Sequence, residues 1–160
     1  MDIFEFAMQM EKDGESYYRE ISAGINSKGI KKILSILADE EVKHYEIFAE
    51  MKRRTPDMPG TTTLKDVKNV FAQMKDSKEY IGSNLGQIEL YKKAQELEKK
   101  SEEFYLEKSK EVDTEAQKKV LLKIAEEEKL HFMLLEHIIQ FVSRTDHYLA
   151  DAEFDNIEPL

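Results

Sequence analysis

A glutamate and a histidine three residues apart occur twice in this chain, as Glu41-Val42-Lys43-His44 and as Glu128-Lys129-Leu130-His131. On a helix, residues three apart share a face about one turn from each other, so each motif presents a carboxylate beside an imidazole. A lone glutamate precedes each motif at the same distance: Glu11 stands 33 residues before His44, and Glu98 stands 33 before His131. Shifting the chain by 87 residues lays Ala7 on Ala94, Glu11 on Glu98, Glu15 on Glu102 and Tyr18 on Tyr105. The same shift lays Leu34 on Leu121, Ala38 on Ala125, Glu41 on Glu128 and His44 on His131, with no gap. A repeat of this kind implies a duplicated pair of helices related by an approximate two-fold axis.

Four long stretches carry helical periodicity, roughly 2–24, 27–54, 87–111 and 114–146. Ser27 and Asp113 are the expected N-caps of the second and the fourth. The first and second stretches, and the third and fourth, are divided by short turns, so each pair is expected to form an antiparallel hairpin. Pro56 and Pro59 stop the helical pattern. A shorter pattern follows at about 64–77, with Leu64, Val67, Val70, Phe71 and Met74 on one side, and Gly82 to Gly86 breaks it. The expected fold is all-α: two repeated hairpins (about 2–54 and 87–146) joined by a long crossover over 55–86 that contains a short helix. One long crossover is the connectivity of a ferritin-like four-helix bundle. At 160 residues the chain makes one domain, with the bundle in 1–147 and a C-terminal tail in 148–160.

The facing of the acids follows from the apolar stripes. In the second stretch Ile30, Ile33, Leu34, Leu37, Tyr45 and Phe48 place Glu41 near the stripe's centre, His44 inside it and Glu40 at its edge, with Asp39, Glu46 and Glu50 pointing away. In the first, Glu11 interrupts Ile3, Phe6, Ala7, Met10, Tyr17, Tyr18 and Ile21, while Asp13 and Glu20 lie on the far side. In the third, Leu90, Ala94, Leu97, Phe104 and Tyr105 flank Glu98. The fourth is apolar nearly all round from Val120 to Val142, as a central helix is. Periodicity there does not separate Glu127 from Glu128; the repeat selects Glu128 through its match to Glu41.

Four glutamates would then face one core with no lysine or arginine in those stripes. Leaving them uncompensated costs several kcal/mol each, too much for a domain of only ~5–15 kcal/mol total stability. Two divalent cations would cancel four carboxylate charges, and two imidazoles would complete the ligand set. The expected metal ligands are Glu11, Glu41, His44, Glu98, Glu128 and His131. For a single E-x-x-H the ordinary reading is a solvated surface coincidence; the repeat and the stripes weigh against it here. His137 and His147 lack repeat partners and are expected at the surface or in the tail. Met8, Met10, Met51 and Met133 read as packing. Tyr18 and Tyr105, two turns after Glu11 and Glu98, read as core tyrosines with bonded hydroxyls, or as groups that hydrogen-bond a ligand carboxylate or stand near the oxidant.

Composition narrows the function by exclusion. A net charge of −9 disfavours a nucleic-acid partner. With no cysteine, thiolate iron sites, zinc ribbons and cysteine nucleophiles are removed together. The N-terminus is not basic and opens no apolar run of signal-peptide length, and no stretch approaches the ~20 apolar residues of a membrane span. A cytoplasmic protein without a membrane partner is expected.

A glutamate on each of two helices with E-x-x-H on each of two others resembles the ferritin-like di-iron carboxylate proteins. The stretches Glu11 to Tyr18, Leu37 to His44, Glu98 to Tyr105 and Ala125 to His131, and the tail from Tyr148 to Phe154, resemble the rubrerythrin branch. That resemblance implies two Fe ions, with Mn or Zn as alternatives, bridged by Glu41 and Glu128. Glu11 and Glu98 would cap them, and His44 and His131 would supply one nitrogen each. It also implies an oxidoreductase of oxidative stress that reduces hydrogen peroxide or dioxygen and works as a homodimer. Full-length rubrerythrins carry a rubredoxin domain with four cysteines, absent from these residues, so a separate electron donor such as a rubredoxin-like protein is expected. Rubrerythrins also place an additional glutamate one turn beyond the third-helix ligand, where this chain has Ser101, with Glu102 one residue further. A ferroxidase or iron-storage protein, and a structural two-metal staple, are the alternative readings of the same residues.

Overall fold

Five helices follow one another in a computed structural model that describes residues 2–53, 62–76 and 85–143: α1 (Ile3–Ala23), α2 (Lys28–Met51), α3 (Thr63–Asp76), α4 (Leu85–Lys108) and α5 (Glu115–Val142). No strand occurs among the described residues. Each helix is rich in Ala, Leu, Glu, Lys and other strong helix formers, and none contains proline. The breaks expected at Pro56, Pro59 and Gly82, together with His147 and the 148–160 tail, lie outside the described residues.

The helix starts are chemically marked. The Asp2 side chain accepts from the Glu5 N–H at 2.8 Å, and Ser27 Oγ accepts from the Ile30 N–H at 3.1 Å, as expected of an N-cap. Asp113 does not cap α5. The cap falls one residue later, where Thr114 Oγ1 accepts from the Gln117 N–H at 3.1 Å. α4 ends at Lys108, short of the expected 111, because its last bonds tighten to three-residue spacing (Lys110 to Glu107, Glu111 to Lys108). Such an end leaves no trace in the apolar period.

α1 packs chiefly against α2, α4 chiefly against α5, and α3 rests on α2. The buried apolar residues form two clusters. The larger takes Tyr18 and Ile21 of α1, Ile30 to Ala38 of α2, Val67 to Met74 of α3, Tyr91 and Ala94 of α4, and Leu130 to Val142 of α5. The smaller takes Ala7, Phe48, Met51, Tyr105, Val120, Leu121, Ile124 and Ala125. On each long helix a polar residue lies between the segments that enter the two clusters: Glu11, Glu41 with His44, Glu98, and Glu128. A polar layer is therefore held between two apolar ones. Each fully buried Leu, Ile or Phe contributes ~1.5–3 kcal/mol, which offsets the cost of burying that layer.

Two residues expected on the stripes are open to solvent. Phe6 is 46% exposed and Leu90 41%. Each stands about 100° around the helix from a buried neighbour, Ala7 and Tyr91, and so falls at the edge of the face. Phe6 leans instead on Phe104, with ring centroids 4.9 Å apart. No described helix is long and apolar enough to cross a membrane.

Candidate metal centre

α1 brings Glu11 to the polar layer, α2 brings Glu41 and His44, α4 brings Glu98, and α5 brings Glu128 and His131. All six are buried, none more than 4% exposed. They fall into two groups, Glu11, Glu41, His44 and Glu128, and Glu41, Glu98, Glu128 and His131. Within each group every residue offers a ligand atom within 4.8 Å of the others. Glu41 and Glu128 belong to both.

The shortest contacts run crosswise between the halves of the repeat. His44 turns Nδ1 inward, 2.9 Å from Glu128 Oε1 and 3.4 Å from Glu11 Oε2. His131 likewise turns Nδ1 inward, 3.2 Å from Glu41 Oε1 and 3.4 Å from Glu98 Oε1. The two rings lie 15° from parallel with centroids 6.0 Å apart. Tyr18 Oη donates to Glu98 Oε1 at 2.5 Å, and Tyr105 Oη donates to Glu11 Oε1 at 2.7 Å. Each tyrosine thus serves the glutamate of the other half. The one on its own helix lies seven residues away, about 10 Å along the axis.

Burial and mutual repulsion divide the four acids into two kinds. Glu41 and Glu128 are pushed well above the ordinary carboxyl range, first by burial and then by the charges of Glu11 and their other acidic neighbours. Burial also works against ionising Glu11 and Glu98, but the facing His44 and His131 outweigh it, and Glu98 is held down at about 2. For His44 burial opposes the charged ring, yet the charge of Glu11 and hydrogen bonds to Glu127 and Glu128 raise it well above its ordinary value. Tyr18 and Tyr105 are pushed far up, by burial first and then by Glu98 and Glu11, so both phenols remain donors.

The donor set fits a divalent metal. Carboxylate oxygens and imidazole nitrogens converge, and among the described residues no lysine or arginine forms an ion pair with Glu11, Glu41, Glu98 or Glu128. Glu11 Oε2 and Glu98 Oε2, at equivalent places in the two halves, are buried without a hydrogen-bond partner, a costly state that a cation relieves. α1 also leaves space for Glu41, one of the two acids common to both groups. A Cβ built on Gly14 would lie 3.0 Å from Glu41 Oε2. The repeat counterpart of Gly14 is Ser101, which is buried; Glu102 is half-buried and belongs to neither group.

Two acids were not foreseen at the site. Glu40, expected at the stripe's edge, is 3% exposed, and Glu127 is 5% exposed. With His44 they form a third group. Glu127 Oε1 lies 3.0 Å from His44 Nε2, and Glu40 Oε1 lies 3.9 Å from it. The signal was present in the repeat, since the 87-residue shift also lays Glu40 on Glu127. His137, expected at the surface, is half-buried, and burial lowers its pKa.

A family model described as Rubrerythrin matches residues 2–139. No curated protein and no solved structure gives a significant match.

Proposed function

The chain belongs to the rubrerythrin family, and on that footing we propose that it holds two iron ions in its polar layer and reduces hydrogen peroxide or dioxygen, with electrons from a separate donor. The observation that carries this reading is the pair of four-residue groups that share Glu41 and Glu128. Glu11 and His44 would hold one ion and Glu98 and His131 the other, with Glu41 and Glu128 available to both, within a ferritin-like bundle of two duplicated hairpins. The bound iron supplies the electrons and the Lewis acidity for O–O cleavage.

The chain's own residues prepare that chemistry. Tyr18 and Tyr105 each occupy one oxygen of a capping carboxylate, so the second oxygen of Glu98 and of Glu11 is the one offered to a metal. The apolar clusters on either side keep bulk water from the layer. Burial and the neighbouring acids favour the protonated carboxyls of Glu41 and Glu128 when no metal is bound, and binding would displace those protons. These 160 residues hold no cysteine, so electrons would reach the site from outside them.

The test is to load the protein anaerobically with Fe(II), mix it with hydrogen peroxide or dioxygen, and follow ferric near-ultraviolet absorbance. Fast oxidation by peroxide is expected, and none above free Fe(II) in Glu41→Ala protein. If neither oxidant changes the absorbance, the redox reading is lost.

A further inference from the structure

The six ligand residues obey the approximate two-fold axis, but the groups behind the two imidazoles do not. An imidazole that ligates a metal through Nδ1 carries its proton on Nε2, and in a buried site that N–H needs an acceptor. Behind His44 the acceptor is Glu127 Oε1, at 3.0 Å. Behind His131, which is 0% exposed, Nε2 has no partner. Glu40, the repeat counterpart of Glu127, does not supply one. It lies 3.9 Å from His44 Nε2 instead, and its other oxygen lies 3.9 Å from Lys43 Nζ.

We propose that Glu127 is a positioning residue that makes the two metal positions unequal, tight at Glu11 and His44 and looser at Glu98 and His131. The inference rests on the two-metal reading above. A carboxylate that accepts the outer N–H of a ligating histidine fixes its tautomer and ring orientation and raises the basicity of the ligating nitrogen. Losing such a partner costs typically ~10–100-fold in metal affinity. His44 has that support and His131 does not. The ion on the His131 side is therefore the last to bind and the first to leave.

The test is titration of the metal-free full chain with Co(II), read by visible absorption and by metal content after desalting. The wild type should bind two ions in steps separated by about tenfold or more. Glu127→Ala should weaken the tighter step until the two merge. Glu127→Gln keeps an acceptor oxygen on the same stem and should restore most of the separation, which a role in packing or net charge alone does not require. Should Glu127→Ala fail to fold, the imidazole N–H resonances of the Zn(II)-loaded wild type decide. One should exchange slowly and the other quickly, and equal exchange overturns the inference. Two equal steps in the wild type, or unchanged steps in Glu127→Ala, overturn it while leaving the two-metal reading intact. Fewer than two ions bound by the wild type overturns both.

Discussion

Tyr18 donates its hydroxyl hydrogen to Glu98 Oε1 at 2.5 Å, joining α1 of one half of the repeat to a buried acid of the other. Tyr105 returns the contact to Glu11 at 2.7 Å. Both phenols are buried, so removing either hydroxyl strands a buried carboxylate oxygen at a cost of ~1–3 kcal/mol. Tyr18→Phe is expected to lower the melting temperature of the metal-free protein and to weaken metal binding on the Glu98 side. Thermal unfolding and metal titration check this. Tyr105→Phe should do the same on the Glu11 side, and unchanged affinity on the named side in either variant counts against the crosswise arrangement.

The shared position of Glu41 and Glu128 makes a stoichiometric prediction. Glu41→Ala or Glu128→Ala is expected to abolish binding of both ions, because each takes a ligand from both groups. Glu11→Ala belongs to one group and should remove mainly one ion. Metal content per chain after desalting distinguishes these outcomes directly.

Without metal, stability should fall as pH rises above about 4.5. Glu41 and Glu128 have folded-state values raised well above 4.5, so their contribution is complete below that pH and is lost as pH climbs through the raised values. His44, raised above 6.5, acts in the same direction at higher pH. Glu11 and Glu98 are lowered, so their contribution is present throughout this range and is lost only towards strong acid. Metal takes the place of the protons, so the gap in melting temperature between metal-loaded and metal-free protein should widen from about pH 5 to about pH 8. A constant gap measured by calorimetry contradicts this.

Gly14→Ala sets two effects against each other. In a helix interior alanine is favoured over glycine by about 0.8–1 kcal/mol. The added Cβ, however, lies 3.0 Å from Glu41 Oε2 and must push that carboxylate aside. The expected result is a metal-free protein at least as stable as the wild type that binds metal more weakly, shown by parallel thermal melts and metal titrations.

The six candidate ligands were legible in the sequence because duplication marks each twice, so a weak motif at His44 gains support from His131. Glu40 and Glu127 were not read as site residues. A glutamate at the edge of a stripe becomes buried or exposed according to what the facing helix brings, here His44 and Glu127 themselves. The crosswise tyrosine contacts were out of reach for the same reason, since helical spacing orders residues along one helix and does not pair them across two. At α5 the cap went to Thr114 and not Asp113, a shift of one residue decided by which side chain reaches the Gln117 N–H.

Two metal ions would sit in the polar layer, with Glu41 and Glu128 available to both. Anomalous scattering at the iron edge, from crystals of the protein as isolated, tests this most directly. Two peaks a few ångströms apart are predicted, one beside Glu11 and His44 and the other beside Glu98 and His131. A single peak, or none within the polar layer, contradicts it.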